Sequence, residues 1–298
     1  MKKYFNAISF LLLFIFPVYA FSQQDSALRK QIKQIVAPVK GIVGVSVLGI
    51  ESRDTLTFNG NARLVMHSVM KFPIAIAVMH YIDSGVLKPE LIVHIKRKDL
   101  TKDSYSPIRD KYPTGDIDIS VHDLLGLMVS QSDNNACDIL LNLIGGTQTV
   151  ENYIVGVGIR GISVQASEAD MASAWEIQYT NWAKPISLTK LLDYFYQSKT
   201  LTKASTDMLY KMLTEATTGP KRIKAGLPEG TIFAHKTGSS PTNDAGLSPA
   251  TNDVGIITLP NGKHLALAIM VCNSTNDEAT REGTIAKIAK VVWEYYAK

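Results

Sequence analysis

Ser68-Val69-Met70-Lys71 places a hydroxyl and an amine one helical turn apart, on one face of the apolar segment that continues from Phe72 to Tyr81. A serine hydroxyl is a poor nucleophile at neutral pH. It needs an adjacent base, a preorganised site for the developing oxyanion and a proton for the leaving group. A helix opening at Ser68 would supply part of this, because its dipole and free backbone N–H groups favour negative charge there. Lys71 can serve as base only if its pKa is lowered, which a neighbouring cation would help to do. Taken alone the pair is weak, since two polar residues also open many buried helices. Two further segments change its weight: Ser132-Asp133-Asn134 and Lys236-Thr237-Gly238 supply a second hydroxyl, an amide and a second lysine.

The elements that must position these residues follow from periodicity. An amphipathic helix is predicted from Ala27 to Val39, then a strand pair from Ile42 to Ile50 and Asp54 to Phe58 about a turn at Ser52-Arg53. Helical patterns run over Phe72 to Ser84, Val121 to Gln131, Ala136 to Ile144, Thr147 to Val155, Ser187 to Lys199 and Thr202 to Met212. Strands return at Thr231 to His235, Asp253 to Leu259 and Lys263 to Val271, the last two joined by a Pro260-Asn261-Gly262 turn. A helix from Glu278 to Tyr296 closes the chain. Strands at both ends with helices between them imply an α+β fold. One antiparallel sheet lobe is built from residues 23–65 and 214–298, flanked by helices, and an all-helical lobe of residues 66–213 is inserted into it. On that reading KTG lies on an edge strand and projects Lys236 toward Ser68 and Lys71.

Composition narrows the classes. Residues 1–22 read as a secretory signal, with Lys2 and Lys3 before the apolar run Phe10 to Phe16 and small-residue cleavage sites at Val18-Tyr19-Ala20 or Ala20-Phe21-Ser22. The apolar run is shorter than the roughly 20 residues that span a bilayer, and no cysteine near the site invites a lipid anchor. Export to the periplasm or medium, with no membrane anchor after cleavage, is the expectation. Cleavage removes two lysines and no acid, so the net charge falls from +4 to +2. That is no nucleic-acid footprint. Cys137 and Cys272 could pair in an oxidising compartment, but a helical pattern around one and a strand end at the other favour separate burial.

The three motifs, in this order and at these separations, resemble the serine penicillin-recognising enzymes, and specifically the class A β-lactamases. The resemblance covers essentially the whole mature chain. It implies Ser68 as acylated nucleophile, Lys71 as its partner and Ser132 as proton relay to the leaving nitrogen. It also implies Asn134 as a contact to the substrate amide and Lys71, and Lys236 and Thr237 as contacts to the substrate carboxylate. The backbone N–H groups of Ser68 and Ser239 would form the oxyanion hole. Glu168, in Ala166-Ser167-Glu168-Ala169-Asp170, would be the general base that activates water against the acyl-enzyme; Glu176 competes locally, but the run on through Asn181-Trp182 favours Glu168. The family implies a small β-lactam as partner, no cofactor, no metal and a monomer.

The glutamate loop departs from the commonest class A pattern. The usual arginine is Ala166, its aspartate partner is Asn181 and the water-positioning asparagine is Ala172. Both halves of an ion pair are missing together, which predicts unusual loop closure and a roomier cleft beside Ser240. The extended-spectrum PER and VEB types look similar here, in Asp138 and in the segment Thr217 to Arg222. By that likeness Arg222 supplies the cation that other members place on a strand near Asn252; a solvated arginine is the alternative. Tyr105 looks like the aromatic at the cleft rim, unless it merely packs a turn. His67 and Ser240 stand where many carbapenemases carry paired cysteines.

Other signals carry less. Gly156-Val157-Gly158-Ile159-Arg160-Gly161 fits GxGxxG but follows a helical pattern without the strand that dinucleotide binding requires. The six histidines lack zinc spacing, and no GxSxG elbow is present. The expectation is hydrolysis of penicillins and cephalosporins, oxyimino cephalosporins included. A D-alanyl-D-alanine peptidase forming a long-lived penicilloyl adduct and a non-catalytic cell-wall-peptide binder are the rivals.

Overall fold

The computed structural model describes residues 27–102 and 104–298. The signal segment lies outside them. After α1 (27–36) come the strands β1 (Ile42–Gly49), β2 (Thr55–Phe58) and β3 (Leu64–Val65). A 3-10 turn at His67–Met70 leads directly into α2 (Lys71–Asp83). Next are β4 (Ile92–Ile95), α3 (Pro107–Lys111), β5 (Ile117–Ser120), α4 (Val121–Ser130), α5 (Asn134–Leu143) and α6 (Thr147–Gly156). Then follow β6 (Ile162–Ser163), α7 (Glu168–Ser173), β7 (Trp182–Ala183), α8 (Pro185–Tyr196) and α9 (Lys203–Thr214). The chain ends with β8 (Phe233–Ser239), β9 (Ser248–Thr258), β10 (His264–Ser274) and α10 (Glu278–Tyr296).

Five strands form one antiparallel sheet in the order β2-β1-β10-β9-β8, so both ends of the chain build it and β8 lies at an edge. Alternation along β1 explains its two covers. Val43, Val45 and Val47 join Leu28 and Ile32 of α1 and Ile285, Ile288 and Val292 of α10 in one buried cluster. On the other face, Ser46 Oγ meets Thr189 Oγ1 of α8 at 2.8 Å, and Leu48 belongs to the larger cluster that runs through α2, α4, α5 and α9. Residues Lys71 to Met79 of α2 are all buried. A helix buried on every side has no single apolar stripe, and α2 is the central post that the other helices surround.

The main helices and sheet strands fall where periodicity puts them, within a few residues. Three differences bear on the site. β9 starts at Ser248 rather than at Asp253, because its polar first half is buried against partners: Asn252 Nδ2 donates to the carbonyls of Val65 and Met66 at 2.7 and 3.1 Å. Glu168 stands not on an open loop but as the first residue of α7. Small sheets, β3-β7-β6 and β4-β5, were not foreseen; strands of two to four residues carry too little alternation to read. Cys137 and Cys272 are both free and buried.

Candidate active site

Ser68 lies on the 3-10 turn and Lys71 opens α2, so the amine reaches back to the hydroxyl. Lys71 Nζ is 3.0 Å from Ser68 Oγ, 2.9 Å from the Ser132 carbonyl and 2.5 Å from Asn134 Oδ1. It also lies 2.8 Å from Glu168 Oε1. That last contact is an ion pair by distance but off the hydrogen-bond directions, for Oε1 makes no hydrogen bond among the described residues. Lys71 is wholly buried and Glu168 is 7% exposed, so this charge pair is held in a low dielectric.

The second motif is set by Asp133, which caps α5 by accepting from Ala136 N at 2.9 Å. The same buried carboxylate accepts from Ser106 Oγ and Ile108 N, tying down the turn that carries Tyr105 at the rim of the cleft, 58% exposed. Ser132 sits just before the cap with φ 61°, a left-handed backbone that is costly for serine and is found at sites where geometry outranks comfort. Lys236 Nζ donates to Ser132 Oγ at 2.9 Å and to the Thr237 carbonyl at 3.0 Å. Burial, and then the neighbouring Lys71, push the Lys236 amine well below the ordinary lysine range.

β8 approaches the nucleophile closely. A Cβ on Gly238 would fall 2.2 Å from the Met66 carbonyl, so the third residue of KTG must be glycine for the strand to pass. Ser240 N donates to the Ala250 carbonyl, and hydrogen-bonded residues alternate along an antiparallel pair. The N–H of Ser239 therefore points off the sheet edge into the cleft, on the side of Ser68.

The neck of the glutamate loop is closed, against the expectation from Ala166 and Asn181. The Asn181 amide replaces the ion pair: Oδ1 accepts from Gln165 N and Ala166 N at 2.8 and 3.0 Å, and Nδ2 donates to the Ala166 carbonyl at 2.8 Å. One buried amide can both accept from and donate to the backbone of the opposite arm, with its remaining N–H toward the sulfurs of Met70 and Met171, which a sequence comparison of charged pairs does not reveal. Within the loop, Ser167 caps α7 in a capping box with Asp170. Asp138 of α5 accepts from the N–H groups of Glu168 and Ala169, each at 2.8 Å. Glu168 is thus fixed from the backbone side.

Burial raises the Asp138 carboxyl from 3.8 to about 6, against the two N–H bonds that pull it down. The folded state therefore binds this proton more tightly than the unfolded chain. Its stabilising contribution is complete below the unfolded value and is lost as pH rises through the folded one, by up to about 3 kcal/mol. Asp138→Asn cannot titrate, so the melting-temperature difference between variant and wild type should move in the variant's favour from pH 4 to pH 7. Parallel pH profiles would refute the burial penalty.

Arg222 is buried rather than solvated. Its Nε is 3.0 Å from Glu282 Oε1 of α10, one terminal nitrogen donates to the carbonyls of Gly238 and Asn252, and the other donates to Ser239 Oγ at 2.6 Å. Thr218 Oγ1 lies 2.6 Å from Thr237 Oγ1. Ser68, Ser132, Asn134, Glu168, Tyr105, Arg222, Thr237 and Ser239 all line one cleft of about 770 Å³, and Lys71 and Lys236 lie beneath it. Trp175, Gln178 and Glu282 were not among the sequence candidates, and none has a motif of its own; His67 was read only as the place of a carbapenemase cysteine and Thr218 only as part of the Thr217 to Arg222 segment.

A hydroxyl with a buried amine partner, faced across one cleft by a second hydroxyl and an edge strand, is the equipment of a serine acyl-transfer enzyme. Comparison with known proteins narrows that class. The model of the Beta-lactamase enzyme family matches residues 27–296. The chain is 41% identical to Beta-lactamase VEB-1 of Pseudomonas aeruginosa over 96% of its own length and 95% of that protein's. It is 37% identical to the extended-spectrum β-lactamase PER-1 of the same organism, over 97% and 94%. Among solved structures, TLA-1 extended-spectrum β-lactamase superposes with a TM-score of 0.90 at 45% identity, covering 92% of this chain and 100% of that one. A β-lactamase from Chitinophaga pinensis gives 0.88 at 48% identity, over 90% and 98%. The chain belongs to the β-lactamase family, as a class A serine enzyme that hydrolyses β-lactams and so confers resistance to them.

Proposed function

We propose that hydrolysis proceeds through a Ser68 acyl-enzyme that Glu168 deacylates, and that the substrates include oxyimino cephalosporins. The contact of Lys71 Nζ with both Ser68 Oγ, at 3.0 Å, and Glu168 Oε1, at 2.8 Å, carries the reading. Lys71 passes one proton to Glu168 Oε1 and so can take the Ser68 proton as Oγ attacks the lactam carbonyl, while the oxyanion meets the N–H groups of Ser68 and Ser239. Ser132 hands its proton to the leaving nitrogen and is reprotonated from Lys71, which recovers its own proton from Glu168. The net transfer is from Ser68 to that nitrogen, so Glu168 is again a carboxylate when the acyl-enzyme has formed. Its Oε1 then takes a proton from water as the water oxygen attacks the ester. Asn134 would hold the substrate amide; Lys236, Thr237 and Arg222 its carboxylate, Arg222 partly through Ser239 Oγ; and Tyr105 would flank the rim.

The breadth of the substrate range rests on the cleft of about 770 Å³ and on similarity to VEB-1, PER-1 and TLA-1, not on an open loop neck. The purified enzyme should turn over a chromogenic cephalosporin many times, where a peptidase would give one stoichiometric burst and a binding protein none. Its kcat/KM for an oxyimino cephalosporin should lie within about tenfold of that for an early cephalosporin, a difference of about 1.4 kcal/mol in transition-state stabilisation. A gap of several orders of magnitude would defeat the breadth and leave the hydrolase. Residues 1–22 support export, and among the described residues no helix is long and apolar enough to cross a membrane.

A further inference from the structure

We propose that His67 is a positioning residue for deacylation, strapping the nucleophile's turn to the middle of the glutamate loop through Gln178. The inference rests on Glu168 as the deacylating base. His67 directly precedes Ser68, is buried, and has a left-handed backbone with φ 47°. Its Nε2 lies 2.7 Å from Gln178 Oε1, and Gln178 is itself buried. Gln178 Nε2 donates to the Trp175 carbonyl at 2.6 Å. That second bond fixes which way the amide points: its oxygen must face the imidazole, so His67 carries its proton on Nε2 and donates it. Burial holds the ring below the ordinary histidine range, so the strap adds no cation beside Lys71 near neutral pH.

Trp175 begins a 3-10 stretch, Trp175–Thr180, that follows α7 after the single residue Ala174. A closed circuit results: from Glu168 along α7 to Trp175, through the Gln178 amide to His67, and back by one peptide bond to Ser68. Asp138 holds the front of the loop and Asn181 its neck. Between those anchors lie Ala172, Ser173 and Ala174, small and exposed, so this stretch of the loop is held mainly by its neighbours. On the far arm the ties include the strap, a hydrogen bond from Tyr179 OH to Asn273 Oδ1 at 3.1 Å and the packing of Tyr179 against the larger core. Cutting the strap should let the Glu168 carboxylate drift from the ester while the contacts of Lys71 with Ser68 and Asn134 stay in place. Acylation would persist and deacylation would slow.

An acyl-enzyme has a kinetic signature for that outcome. kcat/KM reports steps through acylation only; when deacylation slows, kcat and KM fall together and their ratio holds. Gln178→Met, which removes the acceptor at nearly constant volume, should lower both roughly tenfold, a modest misplacement by the standard of catalytic geometry. His67→Phe should do the same, and the double variant should be no worse than either, because both cut one link. Intact-protein mass spectra during turnover of a chromogenic cephalosporin should show the acyl adduct as the main species in each variant. A fall in kcat at unchanged KM, or penalties that multiply in the double variant, overturns the strap. Glu168→Gln run alongside separates the premise from the inference: if it traps the adduct and Gln178→Met does not, the strap alone fails. If it traps nothing, Glu168 is not the base and the strap fails with it.

Discussion

Glu168→Gln should acylate and then stall, whereas Ser68→Ala should not react at all. The two variants sit on opposite sides of the ester. Without Ser68 Oγ there is no nucleophile for the lactam carbonyl. In Glu168→Gln the nucleophile, Lys71, Ser132 and the KTG edge remain, and Lys71 keeps its contacts to Ser68 Oγ, the Ser132 carbonyl and Asn134 Oδ1. A carboxamide cannot take the proton from water, and loss of a general base costs roughly 10²–10⁴-fold in the step it serves. Acylation is retained but slowed, because the carboxamide no longer takes a proton from Lys71. Intact-protein mass spectrometry after mixing with a cephalosporin should find the adduct mass on Glu168→Gln and none on Ser68→Ala. An unmodified Glu168→Gln protein would remove Glu168 from deacylation, and a modified Ser68→Ala protein would remove Ser68 as nucleophile.

Much of this arrangement was readable before the fold was known, and the reason is physical. Ser68 and Lys71 must be one turn apart on a helix, Ser132 must precede a capped helix and Lys236-Thr237-Gly238 must run along an edge strand. Each demand leaves a local trace: the hydroxyl and amine three residues apart, Asp133 as cap, and the glycine without which β8 would strike the Met66 carbonyl. What stayed hidden is what works through single long-range contacts. Asn181 reads as a lost charge partner, yet its amide closes the loop neck. His67 and Gln178 are far apart in sequence and carry no spacing rule, yet they bond at 2.7 Å. Glu168 was legible by its place after the motifs, but the helix that holds it was not, because six residues are too few for periodicity. The polar first half of β9 was missed for the same kind of reason: Thr251 and Asn252 are buried by partners, and alternation records apolar burial only.

Arg222→Ala should damage the enzyme twice, in stability as well as in substrate recognition. The guanidinium is in the cleft wall, where it would strengthen binding of the substrate carboxylate by about 1.5–3 kcal/mol, typical of a hydrogen bond to a charged group. It also neutralises Glu282 from 3.0 Å within a buried pair. Truncation leaves that carboxylate buried without its cation, which costs about 3–5 kcal/mol in comparable cases. A fall in activity of Arg222→Ala alone would therefore not distinguish lost recognition from lost fold. The double variant Arg222→Met/Glu282→Leu removes both charges at similar volume, and replacing a buried pair in this way is often neutral for stability. We expect the single variant to melt several degrees lower, with the double variant restoring the melting temperature. Both should show catalytic efficiency reduced about tenfold or more. Full efficiency in a double variant of native melting temperature would confine Arg222 to a structural role, holding the Gly238 and Asn252 carbonyls and Ser239 Oγ in place without acting on the substrate.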